Sequence, residues 1–293
     1  MIYEFIREET EYTVAKWASF YQVSRSGYYA YVERREARER EKEGLKAEIK
    51  RLFEESEGTY GPDRICGVLR QTGCRASYSR VSRYMKGQGL QSIHNRNKKT
   101  RSLTDSRKAR GDGYPNLVRG QVFDMPRKAV CSDITYLRSD EGWLYLCVVK
   151  DIVSGEILGE ATSATMKKEL VIQAFLNAQA RHRLGAGTIF HSDRGSQYTS
   201  KEFVSTLKLY GLQQSFSRVG MPGDNAWAES FFATLKKECI RHWHFATRDA
   251  LGQWVFAWIE GRYNTRRAQK RLGYISPRKY AAQLLGKVEK QVA

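Results

Sequence analysis

Two stretches carry residue types that could do chemistry. In His191-Ser-Asp-Arg-Gly-Ser-Gln-Tyr198 an apolar Ile189-Phe190 pair leads into a carboxylate, Asp193, placed where a strand stops and beside a Gly-Ser turn that leaves backbone close to whatever binds there. In Gly220-Met-Pro-Gly-Asp-Asn-Ala-Trp-Ala-Glu-Ser-Phe-Phe232 a turn opens a helix, with Asp224 or Asn225 as the expected N-cap and Glu229 one turn in. Carboxylates at the tips of different elements can converge on a cation.

The elements that must position them follow from periodicity. Val130 to Leu137 reads as a strand, Trp143 to Asp151 as a strongly apolar second, and Glu156 to Ala164 as a third. Helical spacing runs from Glu169 to Ala178. A short buried strand follows at Thr188 to His191, then a helix from Ser200 to Tyr210 and a strand from Leu212 to Ser217. The order β-β-β-α-β-α-β-α predicts an α/β fold: a mixed five-stranded sheet with flanking helices, the architecture of ribonuclease H. In that order Asp133 falls in the middle of the first strand, Asp193 just past the fourth, and Glu229 on the helix after the fifth. Adjacency of strands one and four makes an open, acid-lined site.

Upstream of this region the chain reads as helical. Val14, Trp17, Ala18 and Tyr21 share one face, Ser24-Arg-Ser-Gly-Tyr-Tyr29 starts a second short piece, and Glu33 to Lys50 reads as a solvated helix carrying Leu45, Ile49, Leu52 and Phe53 near its end. Pro62 opens a helix that Gly73 ends. Ser79 then stands as N-cap of a helix with Arg80, Arg83 and Lys86 on one face and Val81 and Met85 on another. A helix, a turn and a second helix with a basic outer face suit a DNA groove. Between Asn95 and Lys128 the pattern gives way to a cationic linker, with Arg96, Lys98, Lys99, Arg101, Arg107, Lys108, Arg110, Arg119, Arg127 and Lys128. Downstream, Thr247 caps a helix striped by Leu251, Trp254, Val255, Trp258 and Ile259, and Ser276-Pro277 is expected to end the ordered pattern. The expected regions are 1–54 (helical), 55–94 (helix-turn-helix-like, DNA-binding), 95–125 (basic linker), 126–245 (catalytic) and 246–293 (C-terminal helices).

Charge points to the same partner. Lys and Arg number 50 against 32 Asp and Glu in 293 residues, a formal charge of +18, which concentrates polyanions around the molecule. Five cysteines without a C-x-x-C pair argue against a zinc module or a disulfide framework and read as reduced thiols. No apolar run approaches the roughly 20 residues of a bilayer span. The expectation is a cytoplasmic, nucleoid-associated protein with no membrane contact.

Cys131-Ser-Asp-Ile-Thr-Tyr-Leu137, Gly142-Trp-Leu-Tyr-Leu146, His191 through Thr199, Asp224 through Phe232, Tyr263-Asn-Thr265 and Leu272-Gly-Tyr-Ile-Ser-Pro277 together resemble the second reading frame of insertion-sequence transposases of the IS-three family. Ser24 through Tyr29 and Tyr60-Gly61 extend the resemblance over nearly the whole chain. It implies an integrase-like DDE core in which Asp133, Asp193 and Glu229 are catalytic and bind two Mg²⁺ ions, with Mn²⁺ able to substitute. Two hard cations held by oxygen ligands can bind the attacking and leaving oxygens of an in-line phosphoryl displacement, so one site can nick a transposon end and join the freed 3′ end to DNA. The resemblance also implies that Lys236, seven residues after Glu229, contacts the transposon end. Arg194, Gln197 and Asn225, with Arg80, Arg83 and Lys86, are the further DNA-binding candidates. The expected partners are transposon inverted-repeat ends and target DNA, other copies of the chain on that DNA, and the upstream-frame product as fusion or partner. The chain departs from the family pattern at Val130 (usually Trp), Gly155 (commonly Arg) and Gln269, where a His is usual.

Rival constellations are weaker. Asp151 reads as a strand-end residue and Asp224 as a cap. His242-Trp-His244 follows a helix rather than an apolar strand, which does not suit a rolling-circle nuclease, and Arg194 with His191 lacks the spacing of a tyrosine recombinase. The reading from a different class is a non-catalytic DNA-binding regulator built on the basic helical region.

Overall fold

The computed structural model describes residues 2–95, 115–218 and 221–292. Arg96, Lys98, Lys99, Arg101, Arg107, Lys108 and Arg110 of the basic stretch, and Gly220 of the second motif, lie outside the described residues. Contacts divide the chain into two units, Met1–Cys66 with Ala76–Ser92, and Gly67–Arg75 with Ile93–Ala293.

The first unit is helical: α1 (Ile2–Glu8), α2 (Val14–Phe20), α3 (Arg25–Glu55), the start of α4 (Pro62–Gln71) and α5 (Tyr78–Gly87). The two pieces expected around Ser24 and Glu33–Lys50 are one 31-residue helix, α3. Ser24 caps it by accepting from the Gly27 nitrogen. Its solvated middle lacks an apolar stripe but gains ion pairs one turn apart, Glu39–Lys42 at 2.6 Å and Glu43–Lys46 at 2.7 Å. Leu45, Ile49 and Leu52 form the buried stripe at its end, as the spacing predicts. The cap of α5 is Ser77, not Ser79: the Ser77 hydroxyl accepts from the Arg80 nitrogen at 3.2 Å, the reach of a cap to N3. Val81 and Met85 are buried under α5, while Arg83 and Lys86 are exposed.

The second unit is built on five strands, β1 (Ala129–Ser139), β2 (Gly142–Asp151), β3 (Ile157–Ser163), β4 (Ile189–Ser192) and β5 (Gln213–Phe216), in the order β3-β2-β1-β4-β5. β1 pairs antiparallel with β2 through Asp133↔Val148, and parallel with β4 from Ala129↔Ile189 to Cys131↔His191. The start of β1 is buried on both sides because it lies at the centre of the sheet. Alternation appears only past Thr135, where Leu137 is buried and Tyr136 and Arg138 are exposed. Helices α6 (Lys168–His182) and α7 (Lys201–Leu209) close one apolar core over Val130, Val149, Phe175, Phe190 and Phe203. Helices α8 (Ala226–Leu235) and α9 (Arg248–Trp258) close another over Leu144, Leu146, Phe231, Leu235 and Val255. Gly159 lets β3 lie against α6: a Cβ there would collide with the backbone of Ala178 and Ala174.

Three further expectations are corrected. Ser276-Pro277 does not end the ordered chain but begins α10 (Pro277–Val292), with Pro277 in the first turn, where its missing N–H costs nothing. Residues 115–118, read as linker, are laid against the sheet: Phe216 donates to the Pro115 carbonyl, Leu117 donates to Ser215, and Val118 is buried. Asp224 is not a helix cap, as described below. At the outer edge of the sheet the buried Asn264 side chain accepts from the Ile157 nitrogen and donates to its carbonyl, both at 2.9 Å. A side-chain amide thereby completes the pairing that an edge strand lacks.

Candidate active site

Each acid sits where its element was expected to place it. Asp133 is on β1, half-buried, and its Oδ1 accepts from the following nitrogen, that of Ile134, at 2.8 Å. Asp193 follows β4, the parallel neighbour of β1, and accepts from the Gly195 nitrogen at 2.9 Å, so the Gly-Ser turn fixes its carboxylate. Glu229 is exposed in the first turn of α8.

The loop after β4 is pinned from beneath. The Tyr198 ring is buried between Phe190 and Phe203, and its hydroxyl meets Ser132, the residue before Asp133, at 2.9 Å. His191 is fully buried. Its Nδ1 lies 2.9 Å from Ser215, and its Nε2 lies 3.0 Å from the Asp224 carbonyl and 3.1 Å from Ser217. The Asp224 carbonyl can only accept, so the neutral ring carries its proton on Nε2 and donates it there, and Nδ1 accepts from the Ser215 hydroxyl, which itself accepts from the Leu117 nitrogen. Burial lowers the His191 pKa and keeps the ring neutral, against the Asp224 carbonyl, which favours the charged form. One imidazole thus ties β4, β5 and the turn leading to α8. The apolar Ile189-Phe190 pair before it is the sequence signal for a buried histidine, but its partners lie 24 to 33 residues away.

Asp224 closes that turn instead of capping α8. It accepts from Arg218 Nε at 3.0 Å and Nη2 at 3.1 Å, and from Asn116 at 3.0 Å, and the Arg218 guanidinium holds its carboxyl down at about 2. Asn225 stands at the N-cap position without a side-chain cap bond; it is buried, and its amide donates to the Ser132 carbonyl at 3.2 Å. That placement gives Asn225 a bracing role beside Asp133 and removes it from any exposed DNA-contacting surface. The same sequence types, Asp and Asn before a helix, suit a cap locally; distant partners decide otherwise.

Of the other candidates, Arg194 Nε donates to the Ser217 carbonyl at 3.1 Å, and Gln197 donates to the Met166 carbonyl at 3.0 Å. Arg80 pairs with Glu41 of α3 at 3.1 Å. Lys236 stands where α8 gives way to a π turn, Lys236–Ile240, and its ammonium lies 5.1 Å from the Tyr136 ring centroid. The π turn buries Glu238, which accepts from Arg267 through both oxygens at 2.8 Å. His244 meets Asp140 at 2.9 Å, so His242-Trp-His244 lies on the surface and not in a catalytic pocket.

Burial pushes the Asp133 carboxyl up to about 7. The Asp193 charge adds to this, the Ile134 N–H opposes it, Glu229 raises it further and Lys236 opposes it. Desolvation also raises Asp193, against the Gly195 N–H, and raises Glu229. The three acids therefore sense one another at Asp133, while among the described residues no three His, Cys, Asp or Glu side chains stand close enough to hold one ion as placed. Hard carboxylate oxygens on neighbouring elements are the donor type that suits a divalent cation.

A central strand and its parallel neighbour carrying one acid each, answered by a helical acid across a β3-β2-β1-β4-β5 sheet, define a ribonuclease H-like polynucleotidyl transferase. The family description "integrase core domain" matches residues 124–222, a second of the same description matches 210–277, and "HTH-like domain" matches 39–99. The chain is 41% identical over 242 residues to the transposase for insertion sequence element IS904 of Lactococcus lactis, covering 82% of this chain and 94% of that one. It is 33% identical over 288 residues to transposase InsF for insertion sequence IS3A of Escherichia coli, covering 96% and 98%. Among solved structures it matches a chain of the simian T-cell lymphotropic virus intasome in complex with PP2A regulatory subunit B56 gamma, at 13% identity, 75% and 74% coverage and a TM-score of 0.47. The chain belongs to the IS3 family of insertion-sequence transposases and is a DDE transposase. No helix among the described residues is long and apolar enough to cross a membrane.

Proposed function

We propose that this transposase cleaves the ends of its own insertion sequence and joins the freed 3′ ends to DNA by in-line phosphoryl transfer, with Asp133, Asp193 and Glu229 as the catalytic acids. What supports this reading is the placement of the acids: Asp133 on the central strand β1, Asp193 just past its parallel neighbour β4, and Glu229 in the first turn of α8. The same three residues would hold two Mg²⁺ ions, with Mn²⁺ able to replace them. Bound there, the ions supply Lewis acidity to the attacking and leaving oxygens.

The chain's own residues do the positioning. The Gly195 N–H orients Asp193, and Tyr198 and Asn225 brace the backbone on which Asp133 sits. Lys236, Arg194 and Gln197 flank the acids and meet phosphate of the end DNA. Arg80, Arg83 and Lys86 of α5 meet DNA through the helical region at 55–94, with 1–54 supporting it and 95–125 adding cationic contacts. The catalytic region is 126–245, carried by the helices at 246–293. The assembly is a homo-oligomer on DNA at the bacterial nucleoid, with the upstream-frame product as fusion or partner.

The test is Asp193→Asn and Glu229→Gln assayed with Mg²⁺ and end DNA. Both cleavage and strand transfer are expected to vanish while end binding persists; survival of either reaction in either variant overturns the assignment.

A further inference from the structure

Beyond Asp133, the β1–β2 hairpin outruns the strands beside it, since β4 pairs with β1 only as far as Cys131. The register sets Tyr136 opposite Tyr145 and Arg138 opposite Trp143, which puts all four side chains on one face. That face is open. Tyr136 is 56% exposed and Trp143 43%, and their rings meet edge to face at 5.1 Å. Each ring carries a cation: the Lys236 ammonium lies 5.1 Å from the Tyr136 centroid and the Arg138 guanidinium 5.1 Å from that of Trp143.

Two large aromatics left in water and flanked by cations are costly unless something covers them. The charge says what does. The acids of the hairpin turn are engaged elsewhere: Asp140 meets His244 at 2.9 Å, and Glu141 accepts from the Arg248 nitrogen at 2.8 Å. The open face therefore presents π surface and positive charge together, the combination that binds unpaired nucleotides, bases on the rings and phosphates on the cations. Lys236 links it to the acids. Alternation turns Tyr136 to the opposite face of β1 from Asp133, but the Lys236 ammonium by Tyr136 stands at the end of the helix that carries Glu229.

We propose that Tyr136 and Trp143, with Arg138 and Lys236, form a stacking platform for unpaired nucleotides of DNA entering the active site. On the reading of the acids as a DNA-cleaving centre, on which this rests, the platform holds bases separated from their partners beside the scissile phosphate.

The test compares binding of the full-length protein to a blunt DNA duplex and to the same duplex with a three-nucleotide unpaired tail carrying 2-aminopurine. The native protein is expected to favour the tailed duplex by about tenfold, within the range of base–aromatic stacking, and to quench the 2-aminopurine. The double variant Tyr136→Ala/Trp143→Ala is expected to lose both the preference and the quenching with blunt-duplex affinity unchanged, and Tyr136→Phe to keep both. A tail preference that survives the double variant, or equal loss of blunt and tailed binding, overturns the platform. So does an oligomeric state that falls apart in the double variant, which would make this face a contact between copies. Glu229→Gln is expected to keep the tail preference whatever its effect on cleavage, so failure of the catalytic assignment and failure of the platform are told apart.

Discussion

Carboxylates gather at the edge and at the centre of the same sheet, and they are treated in opposite ways. At the β3 edge Glu156 and Glu160 are almost fully buried, and each is answered by an arginine: Arg278 meets Glu156 at 2.8 Å, and Arg181 meets Glu160 at 3.1 Å. Glu260 joins the two, at 2.6 Å from Arg278 and 3.1 Å from Arg181. At the centre, Asp133 feels the charges of Asp193 and Glu229, and the cation that it senses, Lys236, is itself held below its usual pKa by desolvation, with the Asp133 charge opposing. Burial raises the acids in both places. The arginines make the first set a structural brace; among the described residues no ion pair answers the second.

The sharpest way to break that contrast is to neutralise Asp133. Asp133→Asn is expected to lower end cleavage by ~10³-fold or more while leaving melting temperature equal or higher, because it removes a like charge from a crowded site. A variant that loses cleavage together with several degrees of stability would show that the acids brace the fold after all. At the edge the signs reverse. Arg278→Ala strands Glu156 and is expected to cost about 2 kcal/mol in denaturant unfolding, less than the roughly 3–5 of a fully buried pair because Arg278 is 43% exposed on its side chain. An unchanged unfolding midpoint would mean that the brace is only apparent.

Smaller effects refine the picture. Lys236→Ala is expected to reduce the slope of log affinity for end DNA against log salt by about one phosphate contact, and an unchanged slope would take Lys236 out of the interface. His182, on the braced side, accepts at Nδ1 from Arg127 at 3.3 Å, and burial followed by the Arg127 charge depresses its pKa from 6.5 to about 4. Between those values the unfolded chain binds a proton that the folded chain refuses, so stability falls as pH drops from about 6.5 to about 4. His182→Gln is expected to flatten that part of a melting-temperature profile, with little change at pH 8.

Much of this is legible in the sequence itself. Apolar runs between turn residues mark the strands, and helical spacing marks the helices between them, even where β1 is too buried to alternate and β5 has one apolar residue. The acids fall where expected because a strand interior, a strand end and a first helical turn are local features. What local reading misses is set by distant partners. Asp224 and Asn225 look like caps until Arg218, Asn116 and Ser132 claim them. Ser79 reads as the cap of α5 until the hydrogen bond from the Arg80 nitrogen assigns that place to Ser77. The charged length of α3 hides its continuity because solvated pairs, not an apolar face, hold it. Pro277 reads as a stop because proline at the end of one helix and at the start of the next look the same in sequence.

The Asn264 amide at the sheet edge also sets a clock. Ile157 and Asn264 are 107 residues apart in the chain, so a ribosome that has delivered all five strands still has the closing side chain to make. At about 5–20 residues per second the outward N–H and C=O of Ile157 wait roughly 5–20 s after that residue is synthesised for their partner. Until then the first position of the β3 edge has to be satisfied by water.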